Sequence, residues 1–194
     1  MVSWATRATL IFSRPCGIKQ IDVASLSHFV DQIQSNPSVC VVGSRVSYTF
    51  AYYLGWSLTK VRKGVTLVKG SDSTAIDWLN NAPAESLVVL FTISRYPNEL
   101  IKLGKVARRL GHTLLLITDS KLCPLIPFAH SHLVAPTQSI PLVGYATSIS
   151  CIVDYLVQEL AGRDGEELKT HQERLEQIYR ENDILFDMHT MSLG

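Results

Sequence analysis

Ser38-Val39-Cys40-Val41-Val42-Gly43-Ser44-Arg45-Val46-Ser47 is an apolar run that ends in a glycine and passes at once into hydroxyl residues and an arginine. The run Val39 to Val42 is continuously apolar instead of alternating, which predicts a strand buried on both faces. Gly43 permits a tight turn at its end, and Tyr48 to Arg62 then predicts a helix. A second unit of the same kind follows. Leu87 to Ile93 predicts a strand, Thr92-Ile93-Ser94-Arg95-Tyr96-Pro97 a loop, and Asn98 to Leu110 a helix. Pro97 suits the first helical position, and Glu99 falls in the first turn, where a carboxylate favours the helix dipole. In both units backbone N–H groups at a helix start stand beside serine hydroxyls and an arginine, a composition that suits a phosphate dianion.

Outward from these units the alternation continues. Val65 to Val68, Thr113 to Thr118 and His132 to Ala135 predict further strands; Ser25 to Gln34, Thr74 to Asn81 and Leu142 to Ala161 predict helices. Five strands interleaved with helices predict an α/β fold: a doubly wound five-stranded parallel sheet with helices on both faces, an α-β-α sandwich. In a flavodoxin-like strand order, 2-1-3-4-5, ligands bind where the order reverses, between the first and third strands. The two loops follow those strands. The second strand, leaving by Lys69-Gly70-Ser71, and the fourth, leaving by Thr118-Asp119-Ser120, carry no arginine. We expect three parts: an unassigned N-terminal segment, 1–20; a ligand-binding domain, 21–162; and a charged amphipathic C-terminal helix and tail, 163–194, with a stripe of Leu168, Leu175, Ile178 and Leu185.

At 194 residues the chain is long enough for one well-buried domain. No apolar run reaches the roughly 18–20 residues that span a bilayer, so no membrane partner is expected. The N-terminus lacks a sustained apolar core with a small-residue cleavage site, which argues against secretion. Cys16, Cys40, Cys123 and Cys151 show no C-x-x-C spacing and read as reduced thiols in a cytoplasmic protein, with no metal site among them. Net charge is +1, and no basic cluster interleaved with aromatics marks a nucleic-acid surface.

Val41 to Ser47, Thr92 to Glu99 and Leu114-Leu115-Leu116-Ile117-Thr118-Asp119-Ser120 resemble the SIS (sugar isomerase) domain, particularly the effector domain of RpiR/MurR-type transcription regulators. The resemblance runs from about Ile21 to Leu160. Gly43 and Ser47 match the G-x-G-x-S pattern of the first loop; Thr92 and Ser94 match the serines of S-x-S-G-x-T in the second. Arg45 stands where the second glycine is usual, Arg95 replaces the glycine of the second loop, and Pro97 replaces its threonine, removing one phosphate donor. Two guanidinium groups compensate if they make bidentate phosphate contacts, or recognise a carboxylate instead.

The resemblance implies a non-catalytic domain that senses a sugar phosphate or related small anion through Gly43, Ser44, Arg45, Ser47, Thr92, Ser94 and Arg95, without a cofactor. It also implies a homodimer or tetramer, and contact with DNA only through a helix-turn-helix domain for which the residues before the first helix are too few. The main rival is a sugar-phosphate aldose–ketose isomerase, which needs a base near the sugar. Glu99, Asp119, His112, His130 and His132 are candidates, but Glu99 and Asp119 are as well explained by a helix first turn and a strand-end turn. Asp154 and Glu159 lie toward the far end of the last predicted helix of the domain. A third reading is an oligomerising domain with a degenerate pocket. His130 and His132 have the i, i+2 spacing of a strand face, yet no cysteine or carboxylate stands near to complete a metal site. Tyr48, Phe50, Tyr52, Tyr53 and Trp56 suit core or subunit interface, with Tyr48 close enough to the first loop to touch a sugar.

Overall fold

In the computed structural model, residues 23–70, 73–93, 95–135, 139–140, 143–144, 147–163 and 165–185 are described. Helix α1 (Val23–Ser35) leads into β1 (Val39–Gly43), followed by α2 (Val46–Val61), β2 (Val65–Lys69), α3 (Thr74–Asn81) and β3 (Leu87–Thr92). Then come α4 (Asn98–Arg109), β4 (Thr113–Thr118), a 3-10 turn (Ile126–Phe128) and β5 (Ser131–Val134). Two short strands, β6 (Ser139–Ile140) and β7 (Val143–Gly144), pair antiparallel before α5 (Thr147–Arg163) and α6 (Gly165–Glu181). Val143 and Gly144, within the stretch expected to be helical from Leu142, are therefore strand. A brief apolar run closed by glycine fits a strand as well as a helix.

The five-stranded sheet has the order β2-β1-β3-β4-β5 and is parallel throughout. β1, β3 and nearly all of β4 are buried along their length, as continuously apolar strands between two helical layers must be. On one face Val39, Val41, Val89, Phe91 and Leu115 pack with Leu26 and Phe29 of α1, Leu54 and Leu58 of α2 and Ile152 and Leu156 of α5. On the other, Cys40, Val42, Leu90 and Leu116 pack with Leu79 of α3 and Leu100 and Leu103 of α4. Each large side chain taken fully out of water contributes about 1.5–3 kcal/mol. The two-sided sheet and its two layers thus carry most of the stability.

Two glycines set the geometry near the loops. A Cβ on Gly43 would lie 2.6 Å from the Ser47 carbonyl oxygen and 2.9 Å from the Ala51 Cβ, so only glycine lets α2 start this close to β1. Gly64 turns with φ 71°, where a Cβ would lie 2.0 Å from the Pro37 carbonyl oxygen. Cys40 and Cys123 are free and buried, and burial pushes the Cys40 thiol up to about 12. Cys151 is disulfide-bonded, which corrects the expectation of four reduced thiols; sequence spacing carries no information on which sulfurs meet in space. Among the described residues no helix is long and apolar enough to cross a membrane.

Helix α6 lies along the C-terminal half of α2. The His171 Nε2–H donates to the Thr59 carbonyl at 2.9 Å, and Lys60 extends its ammonium between the rings of Trp56 and Tyr179, 5.1 and 4.7 Å from their centroids. The expected stripe is shortened: α6 ends at Glu181, so Leu185 lies beyond it and is exposed, as is Ile178.

Candidate functional site

β1 and β3 are neighbours in a parallel sheet, with Val39 opposite Leu87 and Val42 opposite Leu90, so their carboxyl ends emerge side by side at the same edge. The loops that follow are therefore adjacent, and hydrogen bonds join them. The buried Ser47 Oγ accepts from the Ile93 backbone N–H at 3.1 Å, and the fully buried Ser44 Oγ donates to Glu99 Oε1 at 3.0 Å. Ser47 lies in the first turn of α2, but its hydroxyl does not cap that helix; it ties the start of α2 to the end of β3. Glu99, in the first turn of α4, serves as the acceptor that links the second helix to the first loop.

The N-cap residues of the two helices, Arg45 for α2 and Pro97 for α4, make no side-chain cap hydrogen bond. Pro97 thus stands one position earlier than its expected first helical place. Both helices present positive dipole ends, with N–H groups left uncapped by these side chains, to the same edge of the sheet. Thr92, at the end of β3, is fully buried and its Oγ1 has no hydrogen-bond partner among the described residues. Thr118, opposite it in the β3–β4 register, is in the same state. Two buried hydroxyls with unused hydrogen-bonding capacity at the strand ends are costly by about 1–3 kcal/mol each unless something satisfies them.

Arg45 and Arg95 share an unusual backbone. Arg45 has φ 53° with ψ −133°, Arg95 has φ 61°, and Tyr96 follows with φ 28°. Non-glycine residues at positive φ cost of order 1–3 kcal/mol, and such strain concentrates at binding sites. Both residues are exposed. At each loop an arginine occupies a conformation that glycine adopts without strain. Ser94 lies outside the described residues.

Three further residues lie at this edge that the sequence did not single out as ligands. The Tyr96 hydroxyl donates to Asp119 Oδ1 at 3.2 Å, tying the second loop to the end of β4; burial and then the Asp119 charge push the Tyr96 phenol up. Lys69 stands opposite Gly43 in the β1–β2 register, with its ammonium 5.9 Å from the Tyr48 ring centroid, so a cation does border the first loop from β2. Lys69 had a signal in its position at a strand end; the Tyr96–Asp119 bond had none.

The other candidates are accounted for elsewhere. The buried His112 Nε2–H donates to the Leu79 carbonyl at 2.8 Å, and His130 Nδ1 accepts from the Leu114 N–H at 2.9 Å. Burial and the Arg108 charge hold the His130 imidazole below its ordinary value. His132 is exposed on β5, and among the described residues no group of three or more His, Cys, Asp or Glu side chains is placed to hold a metal ion. Asp154 accepts from Tyr53 on the α2–α5 side.

A five-stranded parallel sheet of this order, with helices on both faces and two adjacent loops at its switch point, places the chain in the class of doubly wound α/β domains. The family model of the SIS domain matches residues 32–159, and the chain belongs to that family. No curated protein matches the sequence. Among solved structures, the sugar isomerase domain of an RpiR transcription factor from Sphaerobacter thermophilus superposes with a TM-score of 0.79 at 22% identity, covering 88% of this chain and 98% of that one. Vibrio vulnificus NanR, complexed with ManNAc-6P, gives a TM-score of 0.73 at 18% identity, covering 96% of this chain and 72% of its own. A Methanococcus jannaschii protein inferred to be a 3-hexulose-6-phosphate isomerase gives 0.64 at 14% identity, covering 87% and 93%. The same fold is thus shared by a transcription factor's domain and by a protein inferred to be an isomerase.

Proposed function

We propose that this chain is a non-catalytic sensor of a sugar phosphate or a closely related small anion, of the kind that forms the effector domain of RpiR-type regulators. The ligand domain spans 21–162, with the helix beyond it an appendage, in a cytoplasmic protein that assembles as a homodimer or tetramer. The phosphate sits between the two loops, held by the backbone at Gly43, the hydroxyls of Ser47, Thr92 and Ser94, that of Ser44 once it turns from Glu99 to the ligand, and the guanidinium groups of Arg45 and Arg95. The observation that carries this reading is the pair of strained arginines, each at positive φ beside a helix N-terminus whose N-cap side chain leaves it uncapped. Strain kept at two matched positions is best explained by a ligand that both side chains meet. Binding of ManNAc-6P by a structural neighbour fits the same ligand class.

One observation favours an isomerase as a second reading: the Glu99 carboxylate stands at the site, hydrogen-bonded to Ser44, where a base is needed. A single experiment separates the two. Thermal shift with a panel of hexose and pentose phosphates is expected to raise the melting temperature for at least one compound, with no aldose–ketose interconversion on prolonged incubation. Turnover would assign the enzyme instead, and a panel without any shift would leave the oligomerising domain with a degenerate pocket.

A further inference from the structure

At the opposite end of the sheet, where the strands begin, α6 closes a cavity of about 490 Å³ against the ends of α1, α2 and α5. Its walls are apolar at Val61, Leu160 and Leu168 and strongly basic at Arg62, Lys63 and Arg174, against one carboxylate, Glu167. Arg62 and Lys63 follow the last turn of α2, where cations offset a helix's negative end. Arg174 has no such explanation. It comes from the body of α6 and lines the cavity one and two turns along from His171 and Glu167, so that face of the helix puts charged residues beside Leu168.

Two of the polar walls are fixed by backbone acceptors. The Arg62 Nε–H donates to the Lys63 carbonyl at 3.0 Å while its Nη2 donates to the Asn36 carbonyl, and His171 is held on the Thr59 carbonyl. Lys63 and Arg174 form no ion pair among the described residues, whereas Arg163, just outside, is paired with Asp31. A chamber of this size, within the range of small-molecule sites, with apolar walls and three cationic residues in its lining, suits a ligand with the complementary division of surface.

The geometry points to a second binding site here, for a small amphipathic organic anion: an apolar body against Val61, Leu160 and Leu168, and an anionic head between Lys63, Arg62 and Arg174. Because α6 forms one wall, an occupant fastens the C-terminal helix to the body. The site is remote from the loops and stands whether or not they bind a phosphate.

Amide chemical-shift mapping of the full chain with phenyl phosphate tests it, with benzoate to compare anionic heads and with phenol and inorganic phosphate as half-ligands. Phenyl phosphate or benzoate should move the amides of 61–63 and 167–174 with a dissociation constant on the order of 1 mM, while phenol and inorganic phosphate alone leave them in place. Arg174→Glu, and independently Lys63→Glu, both exposed positions, should weaken the response roughly tenfold or more. Ser47→Ala at the loops should not change it. Absence of shifts at 61–63 and 167–174, equal shifts with inorganic phosphate, or full retention in both charge reversals would overturn the assignment.

Discussion

Replacing Arg45 by glycine separates what that residue does for the fold from what it does for a ligand. Its backbone, at φ 53° and ψ −133°, lies where a side chain is strained and glycine is not. Relief of that strain is worth about 1–3 kcal/mol, and the wider freedom of glycine in the unfolded chain takes back about 0.5–1 kcal/mol. Arg45→Gly should therefore stabilise by up to about 2.5 kcal/mol, at about 2–4 °C of melting temperature per kcal/mol in a domain of this size. Arg45→Ala keeps the Cβ and hence the strain, so it should show no gain. Both variants lose the guanidinium and with it a charge-assisted contact of about 1.5–3 kcal/mol, so both should bind the anion at least ~10-fold more weakly. Thermal denaturation and calorimetric titration of the two variants give both numbers. A glycine variant no more stable than the alanine variant would refute the strain argument. Undiminished affinity in both would refute the role of Arg45 in binding.

Ser47→Ala removes the buried acceptor of the Ile93 N–H and should destabilise by about 1–3 kcal/mol, seen in urea denaturation and as faster hydrogen exchange at the Ile93 amide. Gly43→Ala places a Cβ 2.6 Å from the Ser47 carbonyl oxygen and 2.9 Å from the Ala51 Cβ, forcing α2 off the strand; an overpacking loss of about 1–3 kcal/mol and weaker anion binding are expected together. The Cys40 thiol, ordinarily 9.0, is held at about 12 in the folded chain, so its contribution is intact below pH 9 and is lost as the unfolded thiol ionises first. Stability should fall with a slope approaching ~1.4 kcal/mol per pH unit between those values, relative to Cys40→Ala, which should lack that component. Equal alkaline slopes in the two proteins would contradict the burial argument.

The fold was legible because the strands that form it are buried on both faces. Val39 to Val42, Leu87 to Thr92 and Thr113 to Thr118 are nearly unbroken apolar runs, and a sheet covered on both sides imposes that pattern and leaves it readable. The start of α5 was not legible, since Val143-Gly144 is too short for periodicity to choose between strand and helix. At the site, residue types marked the two loops, and family resemblance marked Arg45 and Arg95 as standing where glycines are usual. Their positive φ could not be read from a single sequence, because arginine carries no preference for that conformation. The role of Ser47 was hidden for another reason: its partner, Ile93, is brought to it by the β1–β3 pairing and not by local spacing.

The measurement that bears most directly on the central claim is calorimetric titration of the chain with ManNAc-6P and other sugar phosphates, each against the same sugar without its phosphate, in the parent and in Arg45→Ala/Arg95→Ala. A shared phosphate site between the loops predicts binding of at least one phosphorylated sugar, none of its free form, and a loss of roughly 10-fold or more in the double variant. Equal binding of the free sugar, or full affinity in the double variant, would contradict it.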